Sequence, residues 1–337
     1  MGRRLKIAAI VGGLLLAAGG AMAYRLLEVD DIPAELEAAG DPRTLVIPGI
    51  GSQPELDVSK KQGTRLFFVF VGLQSWSGDE GKLLNRALNR WVLPGDLEGY
   101  IVFDAQGLGF LEEKSGEYMD RFGKETRFPM YGDFVGAFRQ IFKLPRGHHG
   151  FVVVGADGTM VTRHSGGYQT DDELAEVRAL LGASEPPPGP EVPAFELGPV
   201  SQSACMSAPC ALLFLGGPVK KADIPNIDDG FEGDDEAKWA QYQNPAVRNV
   251  SSVLSLAIDG KAKGAIVGDA GDLEFLPGWS VAANDAQLRS AFGVAADQTS
   301  LLVLRDGKVA YRGDGIIPFY QWGQVSDLLG VEFDFDD

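Results

Sequence analysis

Two stretches of the chain repeat one pattern of apolar and polar positions. Residues 151–167 read FVVVGADGTMVTRHSGG, and residues 300–316 read SLLVLRDGKVAYRGDGI. Each is an apolar run, an Asp-Gly pair, a second alternating run, a basic residue and a glycine. Asp-Gly between such runs predicts a β-hairpin, because glycine supplies the positive φ that a tight turn needs. After each hairpin the pattern predicts a short helix ending in Leu-Leu-Gly, at Leu180-Leu181-Gly182 and at Leu328-Leu329-Gly330.

The elements upstream also run in parallel. In the first half TRLFFVFVG, ending at Gly72, reads as a buried strand. DEGKLLNRALNRWV (79–92) follows as a helix with Leu83, Leu84, Ala87, Leu88, Trp91 and Val92 on one stripe, stopped by Pro94-Gly95. YIVFDA (100–105) is a second strand, and DFVGAFRQIFKL (133–144) a helix. Thr170-Asp171-Asp172-Glu173 has the form of a capping box for the closing helix. In the second half the strands are CALLFLGG (210–217) and KGAIVGDA (263–270). The helices begin at Asn244-Pro245, at Asn284 as a cap, and near QWGQVSDLLG. Both halves therefore read β-α-β-α-β-β-α, which predicts an α/β fold of two tandem domains, each a mixed sheet flanked by helices. The expected boundaries are a leader over 1–27, a stalk over 28–63, and domains over 64–183 and 200–337. SEPPPGPEVPAFELGP (184–199) lies between them as a stiff, proline-rich linker.

The leader changes the picture of where this fold resides. Arg3, Arg4 and Lys6 precede an apolar stretch from residue 7 to 24, which places the N-terminus in the cytoplasm and exports the rest. The stretch is near the length of a membrane span and carries small residues at Gly13, Ala17 and Gly20, a face for close helix packing. Ala21-Met22-Ala23 has the form of a signal-peptidase site, so a cleaved secretory signal stays open beside the retained anchor. The absence of any cysteine before Cys205 excludes a lipoprotein. The expected location is the bacterial inner membrane, single-pass, with both domains in the periplasm. A net charge of −17 argues against nucleic acid as a partner and against anionic membrane surfaces.

The element order, closing in strand, Asp-Gly, strand, glycine and helix, resembles the thioredoxin-like redoxins, thioredoxins and peroxiredoxins among them. FPMYGDFVGAFRQIFKLPRGHHGFVVVGADGTMVTRHSGG carries the likeness in the first half, and WSVAANDAQLRSAFGVAADQTSLLVLRDGKVAYRGDG in the second. The resemblance implies a Trp-Cys-x-x-Cys motif where the first strand meets the first helix. The junction here reads GLQSWSGDEGK: Trp76 is in place, Ser77 stands at the nucleophilic cysteine, and Glu80 at the second. The second half reads GGPVKKADIP at that junction, again without cysteine. The cis-proline that the resemblance implies aligns with His149 in the first half and Gln298 in the second. These departures put redox chemistry at either position in doubt.

Few other residues carry chemistry. Cys205 and Cys210 are the only cysteines, and in an exported chain they are expected to form a structural disulfide, with a redox or metal role, or free thiols, as the alternatives. His148, His149 and His164 are read as loop and surface residues, and no metal or cofactor is expected. The carboxylate-rich stretch 223–236 lacks the ligand spacing of an EF-hand and reads as a solvated loop or docking surface, with calcium binding open. The acidic end GVEFDFDD reads as a docking or disordered tail. The expectation is a non-catalytic, membrane-tethered periplasmic protein, a structural or binding accessory subunit of a membrane protein complex. The alternative is an exported thiol-disulfide oxidoreductase or peroxiredoxin-like enzyme using Cys205 and Cys210.

Overall fold

The computed structural model describes residues 30–33, 36–49, 51–72, 81–106, 116, 125–224, 240–258, 260–271, 273–275 and 277–331. The leader with Gly13, Ala17 and Gly20, the junction with Trp76, Ser77 and Glu80, most of the acidic stretch and the acidic end lie outside them. Among the described residues no helix is long and apolar enough to cross a membrane. The chain divides into two compact units between Pro186 and Pro187.

Unit 1 opens with a small two-stranded pair, β1 (Val46–Ile47) and β2 (Leu56–Asp57). Its main elements are β3 (Arg65–Val71), α1 (Lys82–Arg90), β4 (Leu97–Asp104), β5 (Met130–Asp133), α2 (Ala137–Phe142), β6 (Gly150–Val154), β7 (Met160–Ser165) and α3 (Asp171–Leu181). The five-stranded sheet runs β5-β4-β3-β6-β7, with β4 and β5 parallel to β3 and β6 antiparallel to it. The central strand is buried on both faces, which is why it reads as an unbroken apolar run. Leu66, Phe68 and Phe70 meet Phe138, Phe142, Leu45, Ile47 and Leu56 on one side. Phe67, Val69 and Val71 meet Leu84, Leu88, Trp91, Val177 and Leu181 on the other. Each such buried side chain contributes about 1.5–3 kcal/mol relative to exposure.

Unit 2 repeats this plan: the pair β8 (Glu196–Leu197) and β9 (Val200–Ser201), then α4 (Gln202–Ser207), β10 (Cys210–Phe214), α5 (Pro245–Leu254), β11 (Lys263–Val267), β12 (Trp279–Ala282), α6 (Ala286–Ala291), β13 (Ser300–Arg305), β14 (Lys308–Asp314) and α7 (Phe319–Leu329). Its sheet order, β12-β11-β10-β13-β14, is that of unit 1. Both hairpins carry an irregularity at the same step, between Val153 and Val154 and between Val303 and Leu304. The edge strands β5 and β12 add a fifth strand to the expected element order in each unit.

The turns differ in detail from the sequence reading. Only the second hairpin has a two-residue turn, with Arg305 paired to Lys308 and positive φ at Asp306 (53°) and Gly307 (74°). In the first, Gly155 N–H bonds Thr159 O at 2.8 Å, giving a three-residue loop closed by Gly158 at φ 79°. There Asp157 accepts from the Thr159 amide and hydroxyl at 3.0 and 2.7 Å, a local bond that holds the longer loop. The capping box at Thr170 and Glu173 is formed. The cap of α6 is Asp285, which accepts from the amides of Gln287 and Leu288, and not Asn284. The proline-rich stretch has contacts at both ends: Ser184 pairs with Val92 in unit 1, while Pro190 and Val192 bond Val309 and Gly307 in unit 2.

Candidate functional site

Parallel strands joined through helices place ligands beyond their C-terminal ends, where loops diverge. In unit 1 that end is built from Gly72 after β3, Gly81 at the start of α1, and the loop Gly147–His149 that leads into β6. A Cβ on Gly72 would lie 2.6 Å from the Gly147 carbonyl carbon, and one on Gly81 would lie 2.0 Å from His149 Nε2. The glycines are there because loop backbone and imidazole occupy the space a side chain would need. His149, expected on the surface, is instead buried because its ring packs over Gly81, and its carbonyl accepts from Gly166 N–H at 2.8 Å.

The same construction stands at the end of β10. A Cβ on Gly216 would lie 2.2 Å from Asp297 O. Gly216 N–H donates to Thr299 Oγ1 at 2.9 Å, and Thr299 O accepts from Gly315 N–H at 2.8 Å. Register fixes the correspondence between units. Phe70 pairs with Gly150 and Phe214 with Ser300, so Thr299, one residue after Gln298, is the counterpart of His149. Gln298 turns back on its own loop, its Oε1 accepting from Ala295 N–H at 3.2 Å.

Behind each loop stands an arginine that the sequence reading did not single out. Arg289 of α6 is buried and donates through Nη1 to Ala295 O (2.9 Å) and Gln298 O (3.1 Å), through Nε to Asn284 Oδ1 (2.6 Å), and through Nη2 to Leu215 O. Burial pushes its guanidinium below the usual range. Its counterpart is Arg139 of α2: Leu144 N–H bonds Arg139 O as Val294 N–H bonds Arg289 O. Arg139 is spent differently, donating to Gln106 Oε1 at 2.8 Å and lying 3.9 Å from Asp104 Oδ2. Asp104 and Asp133 are register partners at the ends of β4 and β5. Asp133 accepts from Ala137 and Phe138 amides at 2.8 and 2.7 Å and so caps α2. Burial raises both carboxyls above the usual range, against the bonds each accepts. The signal for these groups was a charged residue closing or following an apolar run.

Cys205 and Cys210 are joined in a disulfide between α4 and the first residue of β10, in the core. They lie at the opposite end of that strand from Gly216. Among the described residues no group of three or more histidine, cysteine, aspartate or glutamate side chains is placed to share a metal ion.

The strand order, with the antiparallel pair following two parallel steps and closed by a helix, decides the fold. Both units have the strand order of a thioredoxin-like fold. No family model matches the chain, and no curated protein does. Among solved structures the chain is similar to the bacterioferritin comigratory protein of Xanthomonas campestris, at 14% identity over 45% of this chain and 98% of that one, with a TM-score of 0.30. It is similar to an exposed lipoprotein thioredoxin of Streptococcus pneumoniae, at 16% identity over 41% and 98%, TM-score 0.30. A secreted disulfide oxidoreductase of Mycobacterium tuberculosis gives 17% identity over 42% and 100%, TM-score 0.28. Neither unit has a cysteine between its central strand and the α-helix that follows that strand.

Proposed function

We propose that the chain is a non-catalytic, membrane-tethered periplasmic protein whose tandem thioredoxin-like units serve as a structural or binding accessory subunit of a membrane protein complex. The observation that carries this reading is where the sulfur lies. The chain has two cysteines, and both are consumed in one disulfide at the start of β10. From Cys210 to Gly216 the chain rises about 20 Å at the usual strand spacing. Thioredoxin chemistry needs a thiolate stabilised at a helix N-terminus, and the sequence supplies none at either loop end. The tether and the compartment rest on the basic and apolar leader.

Insulin reduction and peroxide consumption by the purified full-length protein, together with affinity purification in mild detergent, test the reading. Background turnover and a stoichiometric set of co-purified membrane polypeptides are expected. Turnover that disappears in Cys205→Ser would replace it with the exported oxidoreductase or peroxiredoxin-like alternative. Purification without any membrane polypeptide would remove the accessory role.

A further inference from the structure

The loop that carries His149 is also where the chain arriving from the leader is fastened. Asp30 N–H donates to Arg146 O at 3.1 Å, and Arg146 N–H donates back to Asp30 Oδ2 at 2.8 Å. His148 Nε2 lies 2.8 Å from Asp30 O, completing a three-point clip. Arg146 and His148 precede β6, so the clip sits at the C-terminal end of β3, β4 and β5, beside Gly72 and Gly147. Two apolar side chains stand exposed at this end: Ile32, two residues beyond the clip, at 46%, and Val135, in the turn from β5 to α2, at 63%. The far end of the sheet, a strand length of about 17 Å away along β6, carries the turn around Ala156 and Asp157 and also exposes Val161 at 54% and Val92 at 47%, so the clip and not apolar exposure distinguishes the two ends.

Chain length converts the clip into an orientation. The apolar stretch of the leader ends at Tyr24, and the six peptide steps from there to Asp30 reach at most about 20 Å. A tether attached to a mobile stalk would let unit 1 tumble, whereas a tether clipped at a sheet end fixes which end stays near the bilayer. We infer that the clipped end is the membrane-facing surface of unit 1, with Ile32 and Val135 against the lipid headgroup region and the His149 loop turned toward the bilayer. The inference rests on the retained anchor of the proposed function. The occupant is the bilayer surface, because the exposed groups are isolated apolar side chains held within tether reach and not a continuous apolar face.

Full-length protein in phosphatidylcholine vesicles containing a nickel-chelating lipid tests it. The native cysteines are already joined, so single cysteines at Val135→Cys and Ala156→Cys accept spin labels selectively. Headgroup nickel is expected to relax the label at 135 several-fold more than the label at 156. Equal relaxation in protein that floats with the vesicles overturns the orientation and leaves the anchor standing. Protein that does not float overturns the anchor, and the inference with it. The double variant Asp30→Ala/His148→Ala is expected to equalise the two labels while the protein still floats, and an unchanged difference overturns the role of the clip. Protection at 135 in native membranes but not in vesicles would identify a protein neighbour and overturn the assignment to lipid.

Discussion

Unit 1 and unit 2 build the same sheet and fill it with different chemistry. On the face covered by α2, Phe68 contacts the rings of Tyr100, Phe138 and Phe142 at 5.6, 5.3 and 6.2 Å, and Phe70 stacks on Phe138 at 5.3 Å. The matching face of unit 2 holds Leu212, Phe214, Ala265, Val267, Leu288 and Phe292, with the disulfide among them. Cys210 occupies the register position that Leu66 holds in unit 1. The loops differ in the same sense. Unit 2 ties its loop with a buried arginine, while unit 1 seats an imidazole on a glycine and turns its arginine toward Gln106 and Asp104. The comparison teaches that strand order is set by alternation and register, whereas the means of filling and fastening are interchangeable.

Four measurements test how far the two units differ, each read by unit-resolved hydrogen exchange during denaturant titration. Phe138→Ala removes the ring shared by three aromatic contacts and is expected to cost unit 1 about 3–5 kcal/mol, with β13 unaffected. Arg289→Met leaves several buried carbonyls without a donor and is expected to cost unit 2 about 3 kcal/mol. Arg139→Met, removing a longer and partly exposed pair, is expected to cost about 1 kcal/mol. Equal losses would mean that the two arginines do the same work. Cys205→Ser/Cys210→Ser opens a short loop, so about 2 kcal/mol is expected in unit 2 alone, and reductant applied to the unaltered protein should match it. A double variant as stable as the parent in oxidising buffer would sink the structural role of the disulfide.

The smallest effect concerns pH. Burial raises the Asp104 carboxyl in the folded state, so the protonated form is the one folding favours. Its contribution is therefore complete below the unfolded value of about 4 and is lost as pH rises through the higher folded value. Asp104→Asn, uncharged throughout, is expected to raise the unfolding midpoint of unit 1 at neutral pH and to flatten its slope in the acid range. A lowered midpoint at neutral pH would show that the attraction to Arg139 outweighs desolvation.

What could be read in advance was local. The central strands announce themselves as unbroken apolar runs, and Thr170 with Glu173 satisfies helix amides within one turn. The edge strands β5 and β12 are four residues each, too short for their alternation to stand out, and they exist because β4 and β11 offer them a ladder. The equivalence of His149 with Thr299 required the long-range pairing of Phe70 and Phe214, which no neighbouring residue encodes. The glycines were visible after both strands, but their reason, a loop pressed against them, was not. Arg289 looked like one more basic residue on a short helix until four acceptors converged on it.

The irregular step shared by the two hairpins decides what can be built beyond it. A bulge displaces one strand by a residue against its neighbour, so everything past it must accommodate the offset. It falls at one step of both ladders, after Val153 and after Val303. Both units therefore reach their turns with the same offset, and the freedom left to the sequence lies in the turn itself, three residues long in unit 1 and two in unit 2.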